Sequence, residues 1–303
     1  MEPVVCYNNT FIPERDATIS VRSRALNYGL ACFAGIRGYA TGDGSQVHVF
    51  RLDRHVRRLE QSARILCLRL PGPQDEVAAS ITELLRRNEM RCDVYIRPIV
   101  FTDSNALSPL LDPETSATAI FCMPLGKYLS ASAIDVCVSS WRRMRESAIP
   151  ARAKVSGGYV NSALARREAA DNGYTEAILL TEDGLVSEGS AEHVFIVREG
   201  QLISPPSTAD NLDGITRLSL ITLAREDLGI PFVERPIGRT ELYVADEVFL
   251  CGTGAEVTPV RSVDRRIIGT GEIGPVTKAL SDHFEAVVRG RVPKRMDWLT
   301  PVW

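Results

Sequence analysis

Lys154-Val-Ser-Gly-Gly-Tyr-Val-Asn-Ser162 is the stretch on which the reading of this 303-residue chain turns. Of 35 basic residues only four are lysines, namely Lys127, Lys154, Lys278 and Lys294, and the other 31 are arginine. Chemistry that needs a titratable amine therefore has four candidates. Only Lys154 has glycine and small residues around it, just ahead of a helical pattern that opens at Tyr159. An amine that attacks an aldehyde carbon needs open space and a partly desolvated setting that lowers its pKa. A solvated loop lysine is the bland alternative, and the surrounding sequence has to decide between the two.

Downstream of the lysine the pattern reads as a helix over Tyr159–Asp171 that stops at Gly173. A meander of short strands follows at Glu176–Thr181, Val186–Ser187 and Val194–Arg198, then a helix from Thr216 to Gly229. An apolar strand, Val248–Cys251, runs into Gly252-Thr253-Gly254, and a last helix covers Val276–Arg289. Upstream, strand-like runs stand at Val4–Tyr7, Ala17–Ile19, Ile36–Tyr39 and Val47–Phe50. Helices are expected at Arg54–Leu66 and Gln74–Arg87, and strands at Asp93–Phe101, Thr118–Met123 and Ile134–Ser139. The order predicts an α/β protein of two domains. A small N-terminal α/β domain spans 1–123, an interdomain loop 124–133 and a large C-terminal domain 134–303.

Composition narrows the function. The hydrophobic share of 45% suits a sizeable core, and a net charge of −3 with interleaved signs gives no basic stripe for a nucleic-acid backbone. The seven cysteines are odd in number, scattered and never in CxxC spacing, so neither a disulfide framework nor a zinc site is expected, and most read as small hydrophobes. No apolar run approaches the roughly 18 residues of a membrane span, and no leader pattern precedes Asp16, so a cytoplasmic location is expected.

Three weak anion signals accompany Lys154. Gly214, Ile215 and Thr216 open a helix, where free N–H groups and the helix dipole favour negative charge. Gly252-Thr253-Gly254-Ala255 is a second glycine-threonine turn. Arg58 lies about 80° from the centre of an inward helical stripe formed by His55, Leu59, Ser62 and Leu66. Taken singly, a glycine turn and a solvated arginine explain these features equally well. Glu188, in Ser187-Glu-Gly-Ser190, is a carboxylate among small residues at a strand end.

Together these pieces resemble the fold-type IV pyridoxal-phosphate enzymes, most of all the branched-chain amino-acid aminotransferases. The matching segments are Lys-x-Ser-Gly-Gly-Tyr-Val-Asn-Ser at 154–162, Ser-Glu-Gly-Ser-Ala-Glu at 187–192, Leu-Asp-Gly-Ile-Thr-Arg at 212–217 and Ala-Asp-Glu-Val-Phe-Leu-Cys-Gly-Thr-Gly-Ala at 245–255. Leu26-Asn-Tyr-Gly29, Cys32-Phe-Ala-Gly-Ile-Arg37, His55-x-x-Arg-Leu59 and Tyr95-Ile-Arg-Pro98 extend the match to the N-terminal part. The resemblance implies that the large domain binds pyridoxal 5'-phosphate and that Lys154 forms the Schiff base and shuttles the proton. Glu188 would pair with the pyridine nitrogen and Tyr159 would lie near the phenolic oxygen. Arg58, Leu212, Ile215, Thr216, Gly252 and Thr253 would complete the cofactor site. Phe33, Tyr95, Arg97, Tyr128, Gly254 and Ala255, with Tyr28 contributed by a partner subunit, would take the substrate. The implied activity is ping-pong transamination between a hydrophobic L-amino acid, leucine, isoleucine or valine first, and 2-oxoglutarate, by a homodimer or higher homo-oligomer in amino-acid biosynthesis.

Departures from the family pattern bear on specificity. His193 stands where Asn is usual and reads as a hydrogen-bonded substitute. Asn27 replaces a common His, Ala34 a common Glu and Leu125 a common Trp, while Ser104–Pro109 lacks the usual glycine-rich loop. A specialised transaminase acting on a non-proteinogenic amino acid is the alternative these changes raise. Aminodeoxychorismate lyase or D-amino-acid transaminase chemistry fits less well, since the resemblance associates Tyr95-x-Arg97 with the branched-chain group. The retained Lys154 and Glu188 speak against a degenerate cofactor-binding protein without activity.

Overall fold

From Val94 to Val100 the chain alternates, with Val94, Ile96 and Val100 on one side and Tyr95 and Arg97 on the other, as a strand with one face in a core must. A computed structural model, which describes residues 2–126 and 133–303, forms a nine-residue strand there. Lys127 and Tyr128 lie outside the described residues.

In chain order the elements are β1 (Val4–Tyr7), β2 (Thr10–Pro13), α1 (Arg24–Tyr28), β3 (Ala31–Phe33), β4 (Ile36–Ala40), β5 (Val47–Phe50), α2 (Leu52–Ile65), α3 (Gln74–Arg87), β6 (Val94–Thr102) and β7 (Ser116–Pro124). There follow β8 (Ile134–Arg142), α4 (Tyr159–Asp171), β9 (Glu176–Leu180), β10 (Val186–Gly189), β11 (His193–Arg198), β12 (Gln201–Ser204), α5 (Ile215–Glu226) and β13 (Phe232–Glu234). The last are α6 (Arg239–Leu242), β14 (Glu247–Gly252), β15 (Glu256–Val263), β16 (Arg266–Ile267), α7 (Pro275–Val288) and β17 (Leu299–Pro301).

The chain divides into two units. The first comprises the described residues 2–126 with Ala153–Gly157 and Ala286–Trp303, and the second holds the described residues 133–152 and 158–285. This differs from domains cut at 123 and 134, because the C-terminal tail returns to the first unit. There β17 pairs antiparallel with β5, Leu299 opposite Phe50, at the edge of a sheet ordered β17-β5-β4-β6-β7-β1-β2. Helices α2 and α3 cover one face and bury Val56, Leu59, Ile81, Leu84 and Leu85 against Ile36, Val94 and Ile96.

In the second unit the sheet order is β10-β9-β8-β15-β14-β11-β12-β13. β8 and β9 are parallel, which requires a crossover, and α4 is its helix. Ala165 and Ala169 give α4 a small-residue face that seats on Cys137, Ala177 and Leu179.

The expected meander is not formed. β9 and β10 pair, but β11 pairs with β14 and β12 instead of β10: its buried Val194, Phe195 and Ile196 stand opposite Leu250, Phe249 and Val248 of β14, whereas β10 is the mostly polar Val186-Ser-Glu-Gly189. Ala17–Ile19 is not a strand: three alternating residues without a ladder partner do not hold extended backbone. β15, eight residues long, escaped prediction because Pro259 breaks its pattern; the proline faces Phe249 within the ladder. Cys67 and Cys92 are exposed, unlike the other cysteines, so the small-hydrophobe reading does not extend to them. No described helix is long and apolar enough to cross a membrane.

The returning tail is tied by charge as well as by β17. Arg289 grips Asp93 through both nitrogens, at 2.5 and 2.8 Å, and donates to the Ala40 carbonyl. Buried Arg37 stands 4.0 Å from the same carboxylate and donates to the Gly126 carbonyl, and the two guanidiniums flank the Tyr39 ring at 5.2 and 5.3 Å. Asp93→Ala would leave two cations without their shared anion. We expect a loss of about 3 kcal/mol of stability, read as a lower urea midpoint, with the secondary structure unchanged.

Candidate functional site

In the first unit, residues 153–157 run alongside β3 as an extra strand-like segment. The Phe33 N–H donates to the Lys154 carbonyl (3.1 Å), the Ser156 N–H to Ala31 (2.8 Å) and the Gly157 N–H to Gly29 (3.2 Å). The approach is close enough that a Cβ on Gly29, which has φ +68°, would stand 2.7 Å from the Gly157 Cα. The glycine run after Lys154 therefore does more than give the amine room: Gly157 lets two backbones touch.

This pairing holds Lys154 with Nζ 5.3 Å from the centroid of the buried Phe33 ring. Arg97 covers the same ring at 4.5 Å and donates through Nε and Nη2 to the Tyr95 hydroxyl, at 3.1 and 2.6 Å. The i, i+2 spacing of a strand brings these two side chains together. Four predicted residues, Lys154, Phe33, Tyr95 and Arg97, thus form one wall: an amine, an aromatic face and a guanidinium.

α2 supports the wall from behind. Ser62 Oγ accepts the Lys154 N–H at 3.2 Å, and Arg58, one turn earlier, is buried at 7% exposure and not solvated. His55 lies on the same face, fully enclosed, with Nδ1 unpartnered. Burial, reinforced by the Arg58 and Lys154 charges, holds its imidazole well below the ordinary 6.5. Tyr28 closes α1, partly exposed, and its hydroxyl donates to the Leu107 carbonyl at 2.6 Å. Tyr128 falls outside the described residues.

In the second unit Glu188 sits on a bulge: Val186 pairs with Leu180 but Glu188 with Leu179, so Ser187 is the extra residue. Bulges re-aim side chains, and here the re-aimed one is a carboxylate. Its Oε1 meets Arg143 at 2.7 Å, and its Oε2 accepts the Leu212 N–H at 3.3 Å and lies 3.6 Å from His193 Nδ1. Arg143 is itself fixed by the Asp210 carbonyl. Sequence reasoning missed Arg143, one of 31 arginines with no motif around it; the only signal was its place shortly after the strand-like run Ile134–Ser139.

Leu212 leads into α5, whose N-cap, Gly214, supplies no side-chain cap. The first amides, at Ile215 and Thr216, are thus left to another acceptor, as an anion site requires. Gly252-Thr253-Gly254 is the tip of the β14–β15 hairpin, with Gly252 opposite Glu256 and the buried Ala255 closing the loop. Tyr159 is half-buried at the first position of α4.

Residues 33–263 match the family model described as amino-transferase class IV. A probable branched-chain-amino-acid aminotransferase of Aquifex aeolicus is 45% identical over 298 residues, 98% of this chain and 96% of that protein. The branched-chain aminotransferase of Thermoproteus uzoniensis, solved with norvaline, superposes with a TM-score of 0.94 at 40% identity, covering all of both chains. The branched-chain amino acid aminotransferase of Thermobaculum terrenum, solved in its PLP holo-form, superposes with a TM-score of 0.94 at 39% identity and covers 100% of this chain and 99% of its own.

His55 provides a pH signature. The imidazole is neutral in the folded chain and takes a proton below pH 6.5 once unfolded, so the unfolded state binds more protons there. Stability should fall as pH drops through that point, by up to about 1.4 kcal/mol per pH unit from this group. Urea titrations between about pH 7.5 and 5 should show the decline, with a shallower slope in His55→Gln.

Proposed function

Since the chain belongs to the amino-transferase class IV family, we propose that it is a pyridoxal-phosphate-dependent branched-chain-amino-acid aminotransferase, moving the amino group between leucine, isoleucine or valine and 2-oxoglutarate. The wall of Lys154, Phe33, Tyr95 and Arg97 carries this reading. It combines the one lysine in a glycine-rich setting with an apolar ring for an aliphatic side chain and a guanidinium for a carboxylate.

The cofactor, when bound, supplies an aldehyde carbon and an electron sink for the amino acid's α-carbon. Lys154 would contribute the amine and carry the proton that leaves the α-carbon; its main chain, held at both the carbonyl and the N–H, fixes the point from which Nζ reaches. Glu188, held by Arg143, accepts from the pyridine nitrogen and keeps it protonated. A carboxylate has lone pairs enough for Arg143, the Leu212 N–H and the pyridine nitrogen together. Tyr159 donates to the phenolic oxygen. Arg58, the α5 amides at Ile215 and Thr216, and Thr253 hold the phosphate, with Leu212 and Gly252 shaping the cradle. The uncapped helix start and the buried guanidinium suit such a group, since the first presents amide donors and the dipole's positive end, and the second a full positive charge in a poorly solvated setting.

Gly254 and Ala255 complete the substrate site, with Tyr128. Tyr28 is assigned to the neighbouring copy in a homodimer. The exposed apolar residues around it support that assembly: Val21 at 80%, Leu107 at 87%, and Leu26 and Leu110 with them. The assignment of the branched-chain donor is supported by the relatives and the pocket chemistry.

Lys154→Arg should keep the charge and abolish turnover, because arginine does not give up its proton at working pH; the same change at Lys278 should be silent. Adding single amino acids to the cofactor-loaded protein should bleach its visible band with branched-chain members and glutamate, and leave it unchanged with D-alanine. Bleaching only by an unusual amino acid would transfer the assignment to a specialised pathway.

A further inference from the structure

His193 opens β11 with its imidazole buried. Nδ1 lies 3.6 Å from Oε2 of Glu188, too far for a hydrogen bond but near enough to restrict where that carboxylate swings. The opposite edge of the ring lies against Gly214, so closely that a Cβ on the glycine would overlap Nε2 and Cδ2. The main chain of His193 stands opposite Cys251, next to Gly252 and Thr253. One residue therefore touches the carboxylate, the residue that starts α5 and the strand that ends in the second glycine-threonine turn.

We propose that His193 is a positioning residue for the cofactor. Its ring is the spacer that sets Glu188 relative to the amino end of α5, so that the pyridine-nitrogen and phosphate contacts form together. The inference rests on the transaminase reading above. A spacer role needs volume and rigidity in place of a proton. A flat imidazole fills the gap, whereas an asparagine amide is shorter and leaves part of it empty in a region packed to crystal-like density. Beside this ring no side chain fits at 214, although φ −74° and ψ 123° are backbone angles open to any residue.

The test is a double-mutant cycle on the full chain, made cofactor-free and titrated with pyridoxal phosphate by absorbance. His193→Ala and Gly214→Ala should each weaken binding about tenfold, the first by leaving a void and the second by collision. The double variant should bind no more weakly than the worse single one, since removing the ring makes room for the added methyl. kcat should fall with the KM for leucine little changed, and the melting temperature of the cofactor-free protein should move less than the stabilisation that the cofactor confers. Losses that multiply, or wild-type affinity in His193→Ala, would overturn the proposal. If Gly214→Ala does not fold, His193→Asn decides: intermediate affinity supports the spacer, and unchanged affinity refutes it. Wild-type protein that fails to bind the cofactor at all would instead sink the functional reading beneath it.

Discussion

The position of Lys154 depends on a contact between two backbones that admits no side chain. Gly29, in left-handed conformation at the end of α1, meets the Cα of Gly157 so closely that a Cβ on Gly29 would overlap it. That approach lets residues 153–157 lie in hydrogen-bonding register with β3. A long, flexible lysine would otherwise sample many rotamers; with its main chain held at both the carbonyl and the N–H, only the side-chain torsions remain to be ordered. The Phe33 ring and the Arg97 guanidinium, brought there by antiparallel pairing of β3 with β6, then bound the space into which Nζ reaches.

The carboxylate is governed by a different device. Glu188 would be costly as an isolated buried charge, and Arg143 offsets that cost with a contact of 2.7 Å. The bulge at Ser187 turns the glutamate toward Arg143 and toward the Leu212 amide at the approach to α5. Ser187 Oγ has no hydrogen-bond partner in its buried setting, consistent with a residue inserted to rotate its neighbour. Strand, turn and helix start are thereby joined through one side chain, and His193 and Gly214 pack around it.

Much of this was legible beforehand. The helices Gln74–Arg87 and Tyr159–Asp171 and the strands Val4–Tyr7 and Val47–Phe50 lie where the sequence places them: the first helix has a clear apolar period, and the second is an alanine-rich run stopped before Gly173 that buries Ala165 and Ala169. The strands not foreseen, β2, β3, β12, β13, β15, β16 and β17, are short or interrupted by proline and exist because a neighbour completes their ladder, and the unforeseen helices α1 and α6 are only five and four residues long. The tail's return to the first unit had no local signal either; it depends on Asp93, 196 positions from Arg289, and on the free edge of β5.

The residues proposed to carry the chemistry stand out by type and short spacing: one lysine among small residues, two glycine-threonine turns, a glutamate between serine and glycine, and an aromatic-arginine strand. Such features are local, since a Schiff-base amine must be lysine and an open anion cradle must begin with little side chain. Which neighbours act on those groups emerged with folding. Arg143 on Glu188, Ser62 on Lys154 and His193 against Gly214 are contacts between residues as far as 92 positions apart. They come from sheet register and helix packing, and no local pattern of residues encodes them.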